Sequence, residues 1–441
     1  MLPSLNLPVS LLGVLMTVRP CFTAPAFTTF CGLVAGLAGQ VRRRTVCGML
    51  LGACLRWPHD RAHYFFSRAR WELDEVGVTV AFLVVMMFLD PGADIMIALD
   101  DSVSVRTGKQ VYGAGWQHDG SARNLQKLSY GNCFVTVGIV VGLPFCSRTW
   151  CLPVLARLHL PGKNAGPSKV KVAADLVAIL ARAFPGRILH VVGDAACHGP
   201  ALRTLPGNVT WTCRLPVSAV LYDLAPPPAG KRGRPKTKGE RLGKPAELAK
   251  NASWTTHEVI TYGGRTDIKH TATIKCLWYG SFHTRPVTVV LSRDEHTTTG
   301  YSLALVTTDV ATAGERPDAI VARYARRWPI EVSYSDSRNV LGAGEARNRT
   351  RKAVERTVPF ALLVHTLIVC WYAMHGYDPA DIDARRQEQP WYQEKTEPAF
   401  EDMVIKLRRT LIAARFSPAN PAQPTDTEIQ AVLGAWSAAA A

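Results

Sequence analysis

The sequence has no Cys-x-x-Cys pair, although it contains eleven cysteines. Structural zinc sites usually take their ligands from such closely spaced pairs, so the cysteine pattern argues against a zinc-binding module. An odd number of cysteines also argues against a closed disulfide framework, which is typical of small secreted domains. We therefore predict reduced, mostly buried thiols and a cytoplasmic location.

The sequence also has little that indicates a membrane protein. The two runs that stand out, 78–89 and 30–38, are shorter than the roughly 20 residues that a membrane-spanning helix requires. The first residues lack a basic start followed by an apolar stretch and a cleavage site, which argues against a signal peptide. The sequence predicts that both runs are core helices and that the protein does not bind a membrane.

Acidic residues are outnumbered by basic ones, 35 against 51, and the formal net charge at pH 7 is +16. Such an excess is typical of proteins that bind a polyanion, either nucleic acid or a membrane surface. A solvated basic surface kept for solubility is the simpler alternative. A membrane-surface protein would need a basic amphipathic helix with exposed apolar residues, and no segment is convincing. Nucleic acid is therefore the favoured partner.

Hydrophobic residues make up 47% of the chain, which excludes wholesale disorder and allows a large core. Apolar residues recur every three to four positions up to about residue 92, and strands then alternate with helices, which indicates an α/β sheet. The predicted segments are a helical N-terminal DNA-binding domain (1–92), the first part of a core (93–215), a basic linker with a β-rich insertion (216–308), the second part of the core (309–377) and a C-terminal tail (378–441).

Three acidic residues stand out by their positions. Asp100 and Asp194 each end a predicted buried strand, and Glu331 lies in a helix that follows the β-rich insertion. Acids at the ends of neighbouring strands can converge, and converging carboxylate oxygens bind Mg²⁺ or Mn²⁺. Taken singly, each acid is better explained as a turn or helix-cap residue, since an Asp after a strand usually has that role.

The residues around Glu331 make the chemical interpretation stronger. Tyr324, Arg327, Glu331 and Arg338 are spaced by three, four and seven positions, which predicts that they share one helix face. An acid between guanidinium groups suits a metal ligand beside a phosphate clamp. The alternative is a surface stripe of ion pairs. Pro329 complicates the stripe, because it would either kink the helix or start a new one.

This spacing resembles the Tyr-x2-Arg-x3-Glu-x6-Lys signature of DDE transposases of bacterial insertion sequences, with Arg338 where the family has Lys. Three further runs resemble the motifs of the same group: Leu-Asp-Asp-Ser at 99–102, Val-Gly-Asp-Ala at 192–195 and Thr-Thr-Asp at 307–309. The resemblance covers roughly residues 90–370 and includes the β-rich insertion between the second Asp and the Glu.

The resemblance implies an RNase H-like mixed sheet flanked by helices, with Asp100, Asp194 and Glu331 as ligands of Mg²⁺ or Mn²⁺. It further implies that water cleaves DNA at transposon ends and that the freed 3′-hydroxyl attacks target DNA. Two DNA ends must be held together for this reaction, so the family implies a homodimer in a synaptic complex. A DNA-bound protein of this kind would be associated with the nucleoid.

Asp101 competes with Asp100 for the first acidic position. Strand alternation places Met96, Ala98 and Asp100 on one face of the sheet. It places Asp101 on the other face, together with Ile95, Ile97 and Leu99. The Asp-x-Ser pattern of the family favours Asp100.

Several residues outside the acidic set are predicted to contact DNA. Arg106 and Lys109 follow the first Asp in a Gly-rich segment that would suit a loop beside the scissile phosphate. The basic run around Lys231, Arg232 and Arg234 resembles a short minor-groove arm, although a solvated linker explains it as well. Trp254 and Trp278 could stack on an unpaired base, although aromatic residues in small β modules are usually core.

Two other functions compete with that of an active transposase. A transposase-derived DNA-binding protein would keep the basic charge but lose an acid, and all three acids are present here. A different RNase H-like nuclease would share the acids, but the β-rich insertion and the spacing around Glu331 favour a transposase.

Overall fold

A computed structural model describes residues 7–40, 44–53, 55, 57–120, 122, 125–162, 166–227 and 235–414. The predicted basic arm at Lys231, Arg232 and Arg234 lies outside the described residues. All structural statements below concern the described part of the chain.

The chain begins with helices, as predicted: α1 (Val9–Met16), α2 (Ala24–Gly39), α3 (Val46–Gly52), α4 (His59–Ser67) and α5 (Leu73–Phe88). Helix α3 starts at a capping residue, because the Thr45 hydroxyl accepts a hydrogen bond from the Gly48 backbone N–H. Helices α2 and α3 cross at very short range. A Cβ on Gly36 would lie 1.8 Å from the Met49 carbonyl oxygen, so only glycine permits this crossing.

Ten strands among the described residues form one mixed sheet. Strand β1 is antiparallel to β3 and parallel to β5, β5 is parallel to β6, and β4 is antiparallel to β3. The resulting order β4-β3-β1-β5-β6 is that of an RNase H-like core, so the predicted fold class is confirmed. The strands of this part are β1 (Ile95–Val105), β2 (Gly115–His118), β3 (Leu128–Gly142), β4 (Thr149–His159), β5 (Leu189–Gly193) and β6 (Val209–Arg214).

The β-rich insertion extends the same sheet instead of forming a separate one. Strand β12 pairs antiparallel with β6, and the order continues through β11 and β10 to β9. A separate two-stranded ribbon, β7 with β8, precedes this extension. The strands are β7 (Leu221–Tyr222), β8 (Arg241–Gly243), β9 (Thr255–Ile260), β10 (Thr266–Cys276), β11 (Val287–Asp294) and β12 (Leu303–Thr307).

Helices cover both faces of the core. On one face Leu99 belongs to the same hydrophobic cluster as Leu176 of α6, and on the other Ala98 packs with Ile330 and Tyr334 of α11. The remaining helices are α6 (Lys169–Ala183), α7 (Pro245–Lys250), α8 (Tyr279–Phe282), α9 (Val310–Glu315), α10 (Pro317–Ala325), α11 (Pro329–Asn339), α12 (Arg351–Trp371), α13 (Ala380–Glu388) and α14 (Phe400–Ala413).

Helix α12 joins the sheet to the N-terminal helices. It contacts β4 on one side and α1, α4 and α5 on others, and one continuous hydrophobic cluster runs through all of these elements. With the π-helical turn that follows it, Arg351–Gly376 is the single described helix long and apolar enough to cross a membrane, with a hydropathy of 1.7. However, 89% of its apolar window is buried inside the protein, which identifies it as a core helix.

Candidate active site

Asp100 lies in β1, and Asp194 directly follows β5, the parallel neighbour of β1. Ala98 of β1 is in register with Val192 of β5, and each acid follows two residues later. Adjacent strands are about 4.8 Å apart, and residues two apart project to the same face. The fold therefore places the two carboxylates side by side on the face that α11 covers.

Glu331 reaches the same point through a shared guanidinium. Arg327 donates from Nη1 to Asp100 Oδ2 at 3.0 Å and from Nη2 to Glu331 Oε1 at 2.6 Å. Arg327 is buried, with 11% of its side chain exposed, whereas the Glu331 side chain is 36% exposed. The site is thus open to solvent at Glu331 and closed at Arg327.

The prediction that Tyr324, Arg327, Glu331 and Arg338 share one face of a single helix is wrong. Tyr324 lies in α10, which ends at Ala325, and Glu331 and Arg338 lie in α11. Arg327 lies in the turn between the two helices. A new helix begins at Pro329, because proline lacks a backbone N–H and is tolerated in the first turn of a helix, where that group has no intrahelical partner. The helix break still brings Arg327 and Glu331 together, since the turn keeps a hydrogen bond from Glu331 N–H to Trp328 O.

The charged form of the Asp100 carboxyl is disfavoured by burial. Burial raises the pKa of Asp100 to about 7, even though the Arg327 guanidinium and a hydrogen bond from the Asp101 backbone N–H lower it. The neighbouring Asp194 carboxylate also raises it. Burial thus penalises the charged form of the Asp100 carboxyl, and a cation close to it would stabilise that form.

Asp101 belongs to the opposite face of the sheet. Its carboxylate accepts a hydrogen bond from Lys169 Nζ of α6 at 2.7 Å and one from the Cys133 thiol at 3.1 Å. Lys169 and Asp101 form a half-buried ion pair. The structure therefore brings Asp100, and not Asp101, together with Asp194 and Glu331.

Asp194 is held by its own loop. Its Oδ1 accepts hydrogen bonds from the Ala196 backbone N–H at 2.9 Å and from the Cys197 thiol at 3.2 Å. Burial raises the pKa of the Tyr324 hydroxyl; the nearby Asp194 raises it further, whereas Arg327 lowers it. Tyr324 therefore lies beside Asp194, as a contact of the same site.

Arg338 lies farther along β1 on the same face. Its Nη2 donates to the Ser102 hydroxyl and, at 3.3 Å, to the Val103 carbonyl. Ser102, two residues after Asp100, thus orients Arg338. The planar fork suits this arrangement, because one guanidinium can contact several acceptors and keep N–H groups for another.

The other residues that were predicted to contact DNA differ in their exposure. Arg106 is buried and its guanidinium donates to protein acceptors, so its predicted phosphate contact is wrong. Lys109 is exposed on the loop after β1. Trp278 is only 6% exposed and stacks on His198, and Trp254 lies under the Arg293 guanidinium at 4.2 Å. These two tryptophans are packed against protein.

Three residues that contact the acidic residues or their strand were not predicted from the sequence. The Tyr334 hydroxyl donates to the Asp100 carbonyl at 3.0 Å, which fixes α11 against β1 beside the acids. Cys197 donates to Asp194, and Lys169 neutralises Asp101 from another helix. Only Tyr334 had a weak signal, because it follows Glu331 by three residues and so shares its side of the helix.

The three acids could hold a divalent cation, since carboxylate oxygens are the ligands that Mg²⁺ and Mn²⁺ prefer. In the described part of the chain, however, no three His, Cys, Asp or Glu side chains already form a metal-binding group. The Arg327 guanidinium is the group that bridges Asp100 and Glu331 here.

Comparison with known proteins gives a family. The sequence pattern of the DDE superfamily endonuclease family matches residues 17–285, which is more than half of the chain and includes Asp100 and Asp194. Glu331 lies beyond the matched span. No curated protein matches the chain significantly. With a matching family pattern, an RNase H-like sheet and two acids side by side at its centre, the chain belongs to the DDE superfamily endonucleases.

Proposed function

We propose that the chain is a DNA transposase of an insertion sequence. It cleaves the ends of its element and joins the freed 3′-hydroxyl to target DNA. One observation carries this proposal: a single guanidinium, that of Arg327, joins Asp100 to Glu331, residues 231 positions apart in sequence, at the place where Asp194 also lies. The third acid, which the family match does not cover, thereby comes to the same site as the first two.

The residues present fit a divalent metal. Asp100, Asp194 and Glu331 supply only hard oxygen atoms, and a cation beside them would stabilise the charged form of Asp100, whose pKa burial raises. These acids would hold Mg²⁺ or Mn²⁺, and such ions activate an attacking oxygen and stabilise a leaving oxygen in phosphoryl transfer.

The other side chains bind and orient the DNA. Arg327 and Arg338 present guanidinium groups on the face that carries the acids, and such groups pair with phosphate oxygens. The Tyr334 hydroxyl and Ser102 hold β1 and α11 in register, so the acids and arginines keep a fixed geometry. Preorganised charges of this kind act on the transition state without a reorganisation cost.

The assembly and location of the enzyme follow from the same proposal. Joining an element to new DNA requires both of its ends, so we propose a homodimer that binds one end per subunit. Its substrate would place it in the cytoplasm with the nucleoid.

The direct test is incubation of the purified chain with duplex DNA that carries an end of its own element, in the presence of Mg²⁺. We expect nicks at the element boundary and joining of the new 3′-end to a second duplex, both mapped on sequencing gels. A protein that binds the DNA but leaves it intact with Mg²⁺ and with Mn²⁺ would contradict the proposed activity.

Calcium should separate binding from chemistry. Ca²⁺ also binds carboxylate oxygens, but it prefers longer distances and more ligands than Mg²⁺, so the reacting groups are held less tightly. We expect DNA affinity in Ca²⁺ equal to that in Mg²⁺ and cleavage reduced by at least about 100-fold, as for a displaced catalytic group. Equal cleavage rates with the two ions would contradict the metal-ligand assignment.

Salt should weaken DNA binding steeply. Each phosphate that a Lys or Arg neutralises releases counterions, and the +16 charge of the chain suggests many such contacts. For six or more contacts, affinity should fall by about 1,000-fold between roughly 50 and 200 mM salt. Fluorescence anisotropy with a labelled duplex would measure this dependence, and a flat response would contradict electrostatic binding of DNA.

A further inference from the structure

An exposed tryptophan stands on the same face of the sheet as Asp100. Asp100 pairs with Thr136, and Trp116 pairs with Tyr130, in both cases across antiparallel strands. Directly opposed residues project to the same face, and so do residues an even number apart along β3. Trp116 therefore projects from the face on which the acids lie.

The separation of Trp116 from the acids matches a short stretch of DNA. The partners of Asp100 and Trp116 on β3, Thr136 and Tyr130, are six residues apart, which is about 20 Å along a strand. That length corresponds to about six base pairs at 3.4 Å each. Trp116 is 69% exposed, and the Tyr130 ring meets its ring at a centroid distance of 5.8 Å.

Exposed arginines flank this stretch. The loop before α12 carries Arg347 and Arg349, and Arg351 is the first residue of α12; all three are exposed. The backbone N–H of Tyr112, just before β2, donates to the Arg349 carbonyl at 3.0 Å, and the Arg351 guanidinium lies 5.7 Å from the centroid of the Tyr112 ring. The loop therefore runs beside the hairpin formed by β2 and β3.

Arg106 fixes the loop and the hairpin to each other. It donates from Nη1 to the carbonyls of Gly344 and Ala346, at 2.8 and 2.6 Å, and from Nε to Asn132 Oδ1 at 2.9 Å. Asn132 in turn donates to the Tyr112 carbonyl at 2.9 Å. The basic loop and the hairpin are thus held as one rigid surface.

We propose that this surface, formed by Arg338, Arg347, Arg349, Arg351 and Trp116 and called here the Trp116 track, binds the DNA duplex that flanks the scissile phosphate. The inference rests on the proposed function, because it takes a DNA strand at Asp100 as given. The arginines neutralise phosphates along the duplex. At the far end the Trp116 ring packs against the sugar–phosphate backbone, about six base pairs from the cut.

The test begins with binding by single variants. The probe is a labelled duplex of about 30 base pairs, roughly three helical turns, without divalent ions. We expect Trp116→Ala to weaken binding by at least about 5-fold, because the apolar area that the ring buries against the duplex is lost. Two controls should bind like the unaltered chain: Val105→Ala, 64% exposed at the end of β1 on the opposite face of the sheet, and Trp391→Ala, 73% exposed on the C-terminal segment.

Position is tested by crosslinking. A photoreactive benzoylphenylalanine at position 116 should crosslink the element-end duplex about six base pairs from the mapped nick, whereas the same group at position 391 should not crosslink DNA. Trp116→Ala binding equal to the controls, or a crosslink more than one helical turn from the nick, would overturn the Trp116 track alone. An unaltered chain that binds no DNA would overturn the proposed function and the track together. Crosslinking to a second copy of the chain instead of DNA would identify a protein interface and overturn the track.

Discussion

Replacing Asp194 by Asn is expected to abolish DNA cleavage and leave DNA binding intact. The substitution keeps the size of the side chain and an oxygen for the hydrogen bonds from the Ala196 N–H and the Cys197 thiol, so the loop after β5 should keep its shape. It removes one negative charge beside Asp100. A neutral amide is a poor ligand for a hard divalent cation, so the metal should be lost or misplaced.

The expected loss is large. Even groups that only support a metal ligand cost about 10- to 100-fold when they are removed, so loss of the ligand itself should cost more than about 100-fold in cleavage rate. DNA affinity should stay the same or increase slightly, because a negative charge is removed near the phosphate. Nick formation and anisotropy, measured on the same element-end duplex with Mg²⁺, would give both quantities.

Asp101→Asn provides a matched control for this experiment. It makes the same chemical change one residue from Asp100, but on the opposite face of the sheet, where the carboxylate pairs with Lys169. We expect DNA cleavage to survive this substitution, with some loss of stability from the broken ion pair. If Asp194→Asn cut DNA as fast as Asp101→Asn, Asp194 would have no part in the reaction.

Replacing Arg356 by Leu should strongly destabilise the fold. Arg356 of α12 is 4% exposed, and its guanidinium donates to four backbone carbonyls of α4 and the turn that follows it. The distances are 3.4 Å to Phe65 and Phe66, 3.0 Å to Ala69 and 2.5 Å to Trp71. The Phe65 and Phe66 carbonyls lie in the last turn of α4, where no intrahelical partner is available, and the other two lie in the turn after the helix.

Leucine fills part of the space but removes this donor from the buried carbonyls of Phe66, Ala69 and Trp71, whereas the Phe65 carbonyl still accepts from the Trp71 indole N–H. Since an unsatisfied buried group costs about 1–3 kcal/mol, and hydrogen bonds to a charged donor are the stronger kind, we expect a loss of about 3–5 kcal/mol in the free energy of unfolding. The stacking of Arg356 on Trp71, at 4.5 Å, would be lost as well. Urea unfolding followed by circular dichroism would measure the change.

Arg351→Ala is the control on the same helix. Arg351 is exposed and pairs with Glu355 one turn later, an arrangement worth about 0.3–0.5 kcal/mol. A loss below about 1 kcal/mol for Arg356→Leu, close to that of the control, would show that other contacts join α12 to the N-terminal helices.

Part of the site was predictable from local patterns. Strand alternation placed Asp100 and Asp101 on opposite faces, and the structure shows that arrangement, since Asp100 meets Arg327 while Asp101 meets Lys169. Alternation needs no knowledge of the rest of the chain, because successive side chains of any strand point to opposite faces. The metal-binding role of the acids stays a prediction.

Other predictions failed because burial depends on the whole fold. The residues next to Arg106 in sequence are those of an exposed, glycine-rich loop, which suggested a phosphate contact. In the structure, however, the loop at 344–346 covers Arg106, and its carbonyls accept hydrogen bonds from the guanidinium. The helical spacing from Tyr324 to Arg338 is real as a pattern, but Pro329 divides it between two helices. Neither outcome could be read from the neighbours in sequence alone.

The sequence by itself determined which segments are strands and helices and which acids could bind a cation, because periodicity and side-chain chemistry are local. Only the tertiary structure decided that Ala98 lies in register with Val192, that one guanidinium spans Asp100 and Glu331, and that Trp116 shares their face. These facts depend on strand register and on contacts between residues far apart in the chain. Such contacts form only when the whole core is buried together, since no single segment can stabilise them.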